Sequence, residues 1–262
     1  MQLEQITSKV VEIAKHAGAF IREQRKTFSA DKIEIKGLND LVSYVDKTAE
    51  QIIVAALEKV LPEAGFLTEE KTINKKGEKY NWIIDPLDGT TNFIHGLPVY
   101  SVSIALQEDD ELVLGVVYEV NQDECFYAWQ GSVAYMNGNQ IKVSDNKTIN
   151  QSLLATGFPY YDFEKQPAYI ALFTELMKSC HGLRRLGSAA VDLVYTACGR
   201  FDGYYEYKLN PWDVAGGIVI LRQAGGDAVN FKGGNECLNT RELLATNGKI
   251  TQEMLDAIQK YF

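Results

Sequence analysis

The stretch Trp82–His95, with the sequence WIIDPLDGTTNFIH, constrains this chain more than any other. Its first residues are apolar and of strand type, so we expect Asp85 at the end of a buried strand and Asp88 just beyond it. Pro86 restricts the turn, and Gly89 allows the backbone to approach a ligand closely. Paired carboxylates suit a hard divalent cation, and backbone amides beside them suit a phosphate. The stretch therefore indicates metal-assisted phosphoryl transfer or hydrolysis.

Composition and charge argue against several function classes. A chain of 262 residues can bury a large core, either as one domain or as two packed halves. Its net charge of −9 argues against a general nucleic-acid binder, which usually has a basic surface. No run approaches the roughly 18 apolar residues of a membrane span, and the amphipathic start does not resemble a signal peptide. The scattered cysteines, without a C-x-x-C pair, favour reduced thiols and a cytoplasmic location.

Apolar periodicity predicts two helices followed by strands in the first half of the chain. Helices are predicted over 2–26 and from Asp46 to Pro62, and strands at 65–70, 82–84, 99–107, 112–120 and 125–130. Residues 27–41 are expected to form a hairpin or loop, and 71–80 a surface loop. Asn137-Gly138 is typical of a two-residue hairpin before a strand at 141–143. We therefore expect an antiparallel meander in this half.

The second half alternates between the two periodicities. Strands are predicted at 153–156, 184–186, 201–207, 227–231 and 243–246, and helices at 167–180, 189–198, 212–224 and 251–261. The expected class is α/β (α+β). We place an N-terminal half with the antiparallel sheet and the main metal motif at 1–150, and a tightly packed C-terminal half at 151–262. Together the two halves can also count as one domain.

Two further acidic positions have alternative interpretations. Glu69 and Glu70 are adjacent, so in a strand they would point to opposite faces, and only one could easily join a metal site unless the strand has ended. Asp213 begins a predicted helix, where it could cap the backbone or serve as a third acidic ligand. The Ala-Gly-Gly that follows it leaves room for another element to pack closely.

Other common catalytic arrangements are not indicated. The three histidines lie at unrelated positions, and no triad, P-loop or G-x-G-x-x-G pattern occurs. Nucleophilic catalysis by a side chain is therefore disfavoured. The remaining interpretation is a water molecule that attacks a metal-bound phosphate ester.

The segments WIIDPLDGTTNFIHGLP and NPWDVAGG resemble the two signatures of the inositol monophosphatase family, part of the Mg²⁺-dependent, lithium-sensitive phosphatase superfamily. The resemblance covers nearly the whole chain. It implies a layered α-β-α-β-α sandwich of the inositol monophosphatase and fructose-1,6-bisphosphatase type. It also implies two or three Mg²⁺ ions per site and a homodimer.

The resemblance also assigns roles by position. It implies as metal ligands Glu69, Asp85, the Leu87 carbonyl, Asp88 and Asp213. Asp46 would orient the hydroxyl of Thr90, and this pair with Glu69 would activate the attacking water. The implied substrate contacts are Lys36, Leu87, Asp88, Gly89, Thr90, Arg184, Gly187, Ser188, Ala189, Glu206 and Asp213. Among them, Gly89 and Thr90 would hold the phosphate through backbone N–H groups, and Glu206 would bind polyol hydroxyls.

The sequence departs from the common family pattern at two places. Thr68 stands where many members have glycine, and Pro211 precedes the second signature's tryptophan. Neither position is an implied metal ligand. The loops 71–80 and 157–166 are expected to shape the leaving-group side and hence the choice of substrate.

The predicted function is Mg²⁺-dependent hydrolysis of a small phosphate monoester, most simply inositol monophosphate, by a phosphoric monoester hydrolase. Alternatives within the class are a 2′-phosphatase of NADP, a dual inositol phosphate and NADP phosphatase, a fructose-1,6-bisphosphatase and a 3′-phosphoadenosine 5′-phosphate phosphatase. A non-catalytic binding protein in nucleic-acid-associated complexes is the alternative from another class. The intact carboxylates and the acidic balance argue against it. The expected partner is a small phosphorylated substrate, with no membrane and no nucleic acid.

Overall fold

The structure, a computed structural model, describes residues 2–29, 33–37, 40–159 and 163–262, and for 33–37 and 40–42 only the backbone. Its helices are α1 (Leu3–Thr27), α2 (Tyr44–Val60), α3 (Thr90–His95), α4 (Gln166–Ser179), α5 (Ala189–Ala197), α6 (Pro211–Gln223), α7 (Cys237–Thr240) and α8 (Thr251–Ile258). Its strands are β1 (Ile33–Gly37), β2 (Asp40–Ser43), β3 (Gly65–Thr68), β4 (Tyr80–Asp88), β5 (Ser101–Glu108), β6 (Glu111–Glu119), β7 (Glu124–Trp129), β8 (Ala134–Met136), β9 (Asn139–Ile141), β10 (Leu153–Thr156), β11 (Gly182–Arg184), β12 (Gly203–Tyr207), β13 (Asp227–Val229) and β14 (Glu242–Thr246).

The first half forms a seven-stranded sheet in the order β3-β4-β5-β6-β7-β8-β9. β3 is parallel to β4, and every later neighbour is antiparallel. The predicted meander is therefore confirmed. Asn137 and Gly138 both have positive φ, at 48° and 83°, as the tight hairpin between β8 and β9 requires.

The second half forms a five-stranded sheet in the order β11-β10-β12-β14-β13. Side chains alternate across it: Tyr204 packs with α5 and α6 toward the larger sheet, and its neighbour Tyr205 packs with α4 and α8 on the opposite face. The helices α1 and α2 cover the outer face of the seven-stranded sheet. This order of layers confirms the α-β-α-β-α sandwich.

Close packing of α6 between the two halves depends on its glycines. A Cβ at Gly216 would lie 3.0 Å from the Ser103 hydroxyl, and one at Gly217 would lie 2.6 Å from Leu193. Across the contact, a Cβ at Gly115 would lie 2.2 Å from the Gly216 carbonyl. The prediction that Ala-Gly-Gly admits a neighbouring element is confirmed. The start of α6, with Asp213, is thereby held against the larger sheet.

Some elements differ from the sequence prediction. The helices α3 and α7 were not predicted, because they have only 6 and 4 residues and such short segments show no helical periodicity. The strand expected at 184–186 ends at Arg184 instead, and the strand expected at 141–143 is the end of the β8–β9 hairpin. All four cysteines are free. None of the described helices is long and apolar enough to cross a membrane. The division at 1–150 and 151–262 stays a prediction.

Candidate active site

A cavity of about 490 Å³ lies where the elements carrying the predicted site residues meet. This size is within the roughly 300–1,000 Å³ range of small-molecule sites. Seven acidic side chains line it, and we call four of them the acidic cluster: Glu69, Asp85, Asp88 and Asp213. They come from the end of β3, from β4 and from the first turn of α6, so the fold brings together residues distant in sequence.

A β-bulge explains why Asp85 and Asp88 both face the cavity. Residues three apart on a regular strand point to opposite faces. In β4, Asp85 pairs with Ser103 and Asp88 with Ser101, so the two residues between them oppose a single residue of β5. This irregularity turns both carboxylates to one side, which is a known use of bulges beside active sites.

Asp85 and Glu69 form the most crowded part of the acidic cluster. Asp85 is 3% exposed, and its Oδ1 accepts a hydrogen bond of 2.9 Å from the Leu87 N–H. Burial raises the pKa of Asp85, and repulsion by the other three carboxylates of the cluster raises that pKa further. The carboxyl groups of Glu69 and Asp85 lie close enough to interact directly, which raises the pKa of Asp85 as well. Two carboxyl groups so placed must share a proton or a cation.

Asp88 joins β4 to the start of α5. Its Oδ2 accepts hydrogen bonds from the Ser188 hydroxyl at 2.5 Å and from the Ala190 N–H at 2.8 Å. Ser188 also caps α5, since its hydroxyl accepts a bond from the Val191 N–H. Burial raises the pKa of Asp88 to about 6 despite these bonds. The predicted stretch Gly187-Ser188-Ala189 is therefore beside the acidic cluster.

Asp213 caps α6, and its side chain also lines the cavity, while its role as a metal ligand stays a prediction. Its Oδ2 accepts a bond of 2.6 Å from the Asn210 N–H in a capping box, while the side chain lines the cavity. Burial raises the pKa of Asp213 to about 8. The preceding loop is braced by Arg241, which donates hydrogen bonds to the Lys208 and Leu209 carbonyls at 3.0 and 2.7 Å.

Asp46 and Thr90 are in contact as predicted. The Thr90 hydroxyl lies 2.8 Å from Asp46 Oδ1 and 3.0 Å from the Leu87 carbonyl oxygen. The other oxygen of Asp46 accepts bonds from the N–H and the hydroxyl of Ser43, at 2.9 and 2.6 Å. Burial raises the pKa of Asp46, and these hydrogen bonds oppose the shift. The Asp46 carboxyl is thus fixed at one end and contacts Thr90 at the other.

The loop that carries Glu69 is anchored by Glu50, a residue that sequence reasoning missed. Glu50 is 0% exposed on α2. Its carboxylate accepts hydrogen bonds from the Glu70 N–H and the Thr72 N–H, both at 2.8 Å, and from the Thr72 hydroxyl at 2.7 Å. Because β3 ends at Thr68, both Glu69 and Glu70 line the cavity.

Glu206 lines the cavity together with residues of α5 and of the loop after β10, and we call this part of the wall the leaving-group end. Its Oε2 accepts a hydrogen bond of 2.5 Å from the Tyr204 hydroxyl, and burial raises the pKa of Glu206 to about 7. A Cβ at Gly157 would lie 1.9 Å from that oxygen, so only glycine leaves room for this carboxyl. The guanidinium of Arg185 lies 4.8 Å from the centroid of the Phe158 ring, and both residues line the cavity.

One predicted substrate contact is not found at the cavity, and another lies where only the backbone is described. Arg184 is exposed at the end of β11, donates to its own neighbour's carbonyl and does not line the cavity; Arg185 lines it instead. Neighbouring residues in extended chain point opposite ways, so an error of one position reverses the direction. Lys36 lies in β1, where the structure describes only the backbone. Of the loop 157–166, residues 160–162 lie outside the described part.

The oxygen-rich donor set fits a hard divalent cation. The described residues contain no group of three or more His, Cys, Asp or Glu side chains already arranged to hold a metal ion. Mg²⁺, however, is usually held by one or two carboxylates and keeps several waters, so it does not need a closed protein cage. Asp85 is buried beside the other three carboxylates of the acidic cluster, and their repulsion raises its pKa. A cation would relieve that repulsion.

Comparisons with known proteins agree with this geometry. A family model described as the inositol monophosphatase family matches residues 2–261. A Mesorhizobium japonicum protein named inositol-1-monophosphatase is 36% identical over 252 residues, covering 96% of this chain and 95% of that protein. The Nus factor SuhB of Escherichia coli K12 is 39% identical over 246 residues, covering 94% of this chain and 92% of that protein.

A solved structure supports the same assignment. The crystal structure of the extragenic suppressor protein suhB from Bartonella henselae matches with a TM-score of 0.92 and 36% identity, covering 98% of this chain and 100% of that one. Since the family model spans almost every residue, this chain belongs to the inositol monophosphatase family, a family of phosphoric monoester hydrolases.

Proposed function

We propose that this chain hydrolyses inositol monophosphate to inositol and phosphate, with Mg²⁺ held by the acidic cluster and water as the nucleophile. The observation that carries the proposal is the meeting of four carboxylates from three separate parts of the fold at one cavity, with the Asp46–Thr90 contact beside them. Mg²⁺ supplies charge neutralisation at the phosphoryl group and lowers the pKa of bound water.

The chain's own residues would perform the remaining steps. The Thr90 hydroxyl, oriented by Asp46, would hold the attacking water together with Glu69. The backbone at Gly89 and Thr90 would hold the phosphate oxygens, since Gly89, with φ of 93°, begins α3 at the cavity wall. Glu206 would accept hydrogen bonds from hydroxyl groups of the leaving alcohol.

A substrate panel tests this proposal. Phosphate release is measured from inositol 1-phosphate, NADP, fructose 1,6-bisphosphate and 3′-phosphoadenosine 5′-phosphate, with Mg²⁺ and with a chelator. We expect Mg²⁺-dependent release, with the highest kcat/KM for inositol 1-phosphate. Absence of Mg²⁺-dependent release from every ester would refute a catalytic role. It would favour the binding-protein alternative. The Escherichia coli relative is named a Nus factor, which is a reason to test that alternative.

A nucleotide phosphate is the second candidate substrate, and one observation favours it. The Phe158 ring is 42% exposed at the cavity and carries the Arg185 guanidinium on its face. Such a ring could stack a nucleobase. A higher kcat/KM for NADP than for inositol 1-phosphate would select this candidate.

Three properties rest on the family resemblance and remain proposals: inhibition by Li⁺, a homodimeric state and a cytoplasmic location. Adding Li⁺ to the substrate panel tests the first. Sedimentation velocity tests the second.

A further inference from the structure

A second buried carboxyl group, that of Asp192, faces the leaving-group end of the cavity. It lies in the first turn of α5, is 2% exposed and lines the cavity. Its Oδ1 has no hydrogen-bond partner among the described residues. Asp192 follows Ser188 by one helical turn, so the two residues lie on the same face of the helix.

The surroundings of Asp192 do not explain its position. Burial raises its pKa, repulsion from Glu206 and Asp88 raises that pKa further, and the charge of Arg185 opposes the shift. A first-turn carboxylate gains from the helix dipole, but an exposed position on the same turn would gain equally. Buried polar atoms without a partner are uncommon and costly in folded proteins. A partner from outside the chain would remove this cost.

The nearby groups indicate what that partner is. At this end of the cavity Glu206 already accepts a bond from the Tyr204 hydroxyl and keeps a second oxygen that is not engaged by it. Both carboxyl groups offer acceptor oxygens to a donor in the cavity. The positive charge of Arg185 acts on Asp192, Glu206 and Asp88 alike. It would therefore repel a cationic donor at this end of the cavity. Neutral hydroxyl groups can donate to the two carboxyl groups without being repelled by Arg185.

We propose that Asp192 and Glu206 form a two-carboxyl subsite that accepts hydrogen bonds from two hydroxyl groups of the leaving alcohol. Asp192 is thereby a specificity-determining residue that favours polyhydroxylated esters over esters of plain alcohols. This inference rests on the proposed function and extends it. A site built to bind hydroxyl groups rejects an analogue that lacks them, because its own polar groups then stay unpaired.

The test compares inositol 1-phosphate with cyclohexyl phosphate, which has the same ring without hydroxyl groups. The kcat/KM for each ester is measured in the wild type, in Asp192→Ala and in Asp192→Asn. We expect the ratio of kcat/KM for inositol 1-phosphate to that for cyclohexyl phosphate to fall about 10- to 100-fold in Asp192→Ala, mainly through KM. Asp192→Asn retains one acceptor oxygen, so a smaller fall of roughly threefold or more is expected.

Asp202→Asn is the matched control, since Asp202 is also a buried carboxyl group and does not line the cavity. It should keep the wild-type ratio. If Asp192 had a purely structural role, its replacement would lower the melting temperature and reduce both kcat/KM values in parallel. An unchanged ratio in the folded variants overturns this inference and leaves the proposed function standing. If Asp192→Ala does not fold, the ratio in Asp192→Asn decides. A wild type that hydrolyses neither ester overturns the proposed function together with the inference.

Discussion

Glu50→Gln tests whether the position of Glu69 depends on a buried anchor. Glu50 does not line the cavity, yet its carboxylate holds the loop from Glu70 to Thr72 through three hydrogen bonds. Glutamine keeps the shape and one acceptor oxygen, which can still bind Thr72. Its amide group would then face the Glu70 N–H, and two donors would meet in a buried site.

The size of the effect follows from the contact that is lost. A hydrogen bond to a charged acceptor contributes about 1.5–3 kcal/mol. At the lower end, and with roughly 2–4 °C for each kcal/mol in a chain of this size, the melting temperature should fall by about 3–6 °C. If Mg²⁺ binding must order the Glu69 loop at a cost of about 1.5 kcal/mol, Mg²⁺ should bind about tenfold more weakly.

The assay separates loop positioning from general destabilisation. The Mg²⁺ concentration for half-maximal activity and the calorimetric affinity for Mg²⁺ are measured for both proteins. Glu119→Gln is the matched control, because Glu119 is also buried, at 1% exposure, and accepts bonds from Gln122 N–H and Asn121, away from the cavity. We expect both variants to lose stability and only Glu50→Gln to need more Mg²⁺. A Glu50→Gln protein of lowered stability with an Mg²⁺ requirement within twofold of wild type would refute the reasoning.

Three further predictions concern the cavity itself. Asp88→Asn should lower kcat by at least about 100-fold with little loss of fold, and near-normal turnover at saturating Mg²⁺ would contradict the ligand assignment. Burial raises the pKa of Asp88 to about 6 and that of Asp213 to about 8, so the folded metal-free chain holds protons that the unfolded chain releases. Calorimetry with a chelator present should therefore show that the free energy of unfolding falls from about pH 4 to about pH 8. Mg²⁺ should raise the melting temperature more at pH 8 than at pH 5.5. A free energy of unfolding that rises over this pH range would contradict this prediction. Gly157→Ala places a Cβ 1.9 Å from the Glu206 carboxylate, so KM for inositol 1-phosphate should rise about tenfold, whereas an unchanged KM would show that Glu206 does not bind the leaving group.

Most of the fold could be predicted because long segments with strict periodicity carry their own signal. The helix predicted at 2–26 is observed as Leu3–Thr27, and the strand predicted at 112–120 as Glu111–Glu119. Such shifts of one or two residues are normal at element ends. The helix α3 was not predicted, because 6 residues are too few to show helical periodicity. Its ends are set by Gly89 and Gly96, both with positive φ.

The site residues also fall into two groups, those that a sequence motif reveals and those that only the fold brings together. Asp85, Asp88 and Thr90 could be found because they lie in one short motif around a bulge and a turn. Glu50 and Asp192 could not be singled out by motif, since each acts on residues that only the fold brings near. Asp192 did carry one signal, its four-residue spacing from Ser188. Arg185 was missed by a single position, because the end of β11 decides which arginine faces the cavity.

The residues proposed for catalysis and those proposed for specificity come from different walls of the cavity. Three members of the acidic cluster come from the seven-stranded sheet and its loops, while the leaving-group end is built by β12, α5 and the loop after β10. Asp213 and the bond from Ser188 to Asp88 join the two parts. A change at Phe158 or Asp192 therefore leaves the cluster's own hydrogen bonds in place, whereas a change at Ser188 alters both parts. We infer that members of this family can change substrate through the leaving-group end alone, and that Ser188→Ala should lower kcat for every ester rather than shift the preference among them.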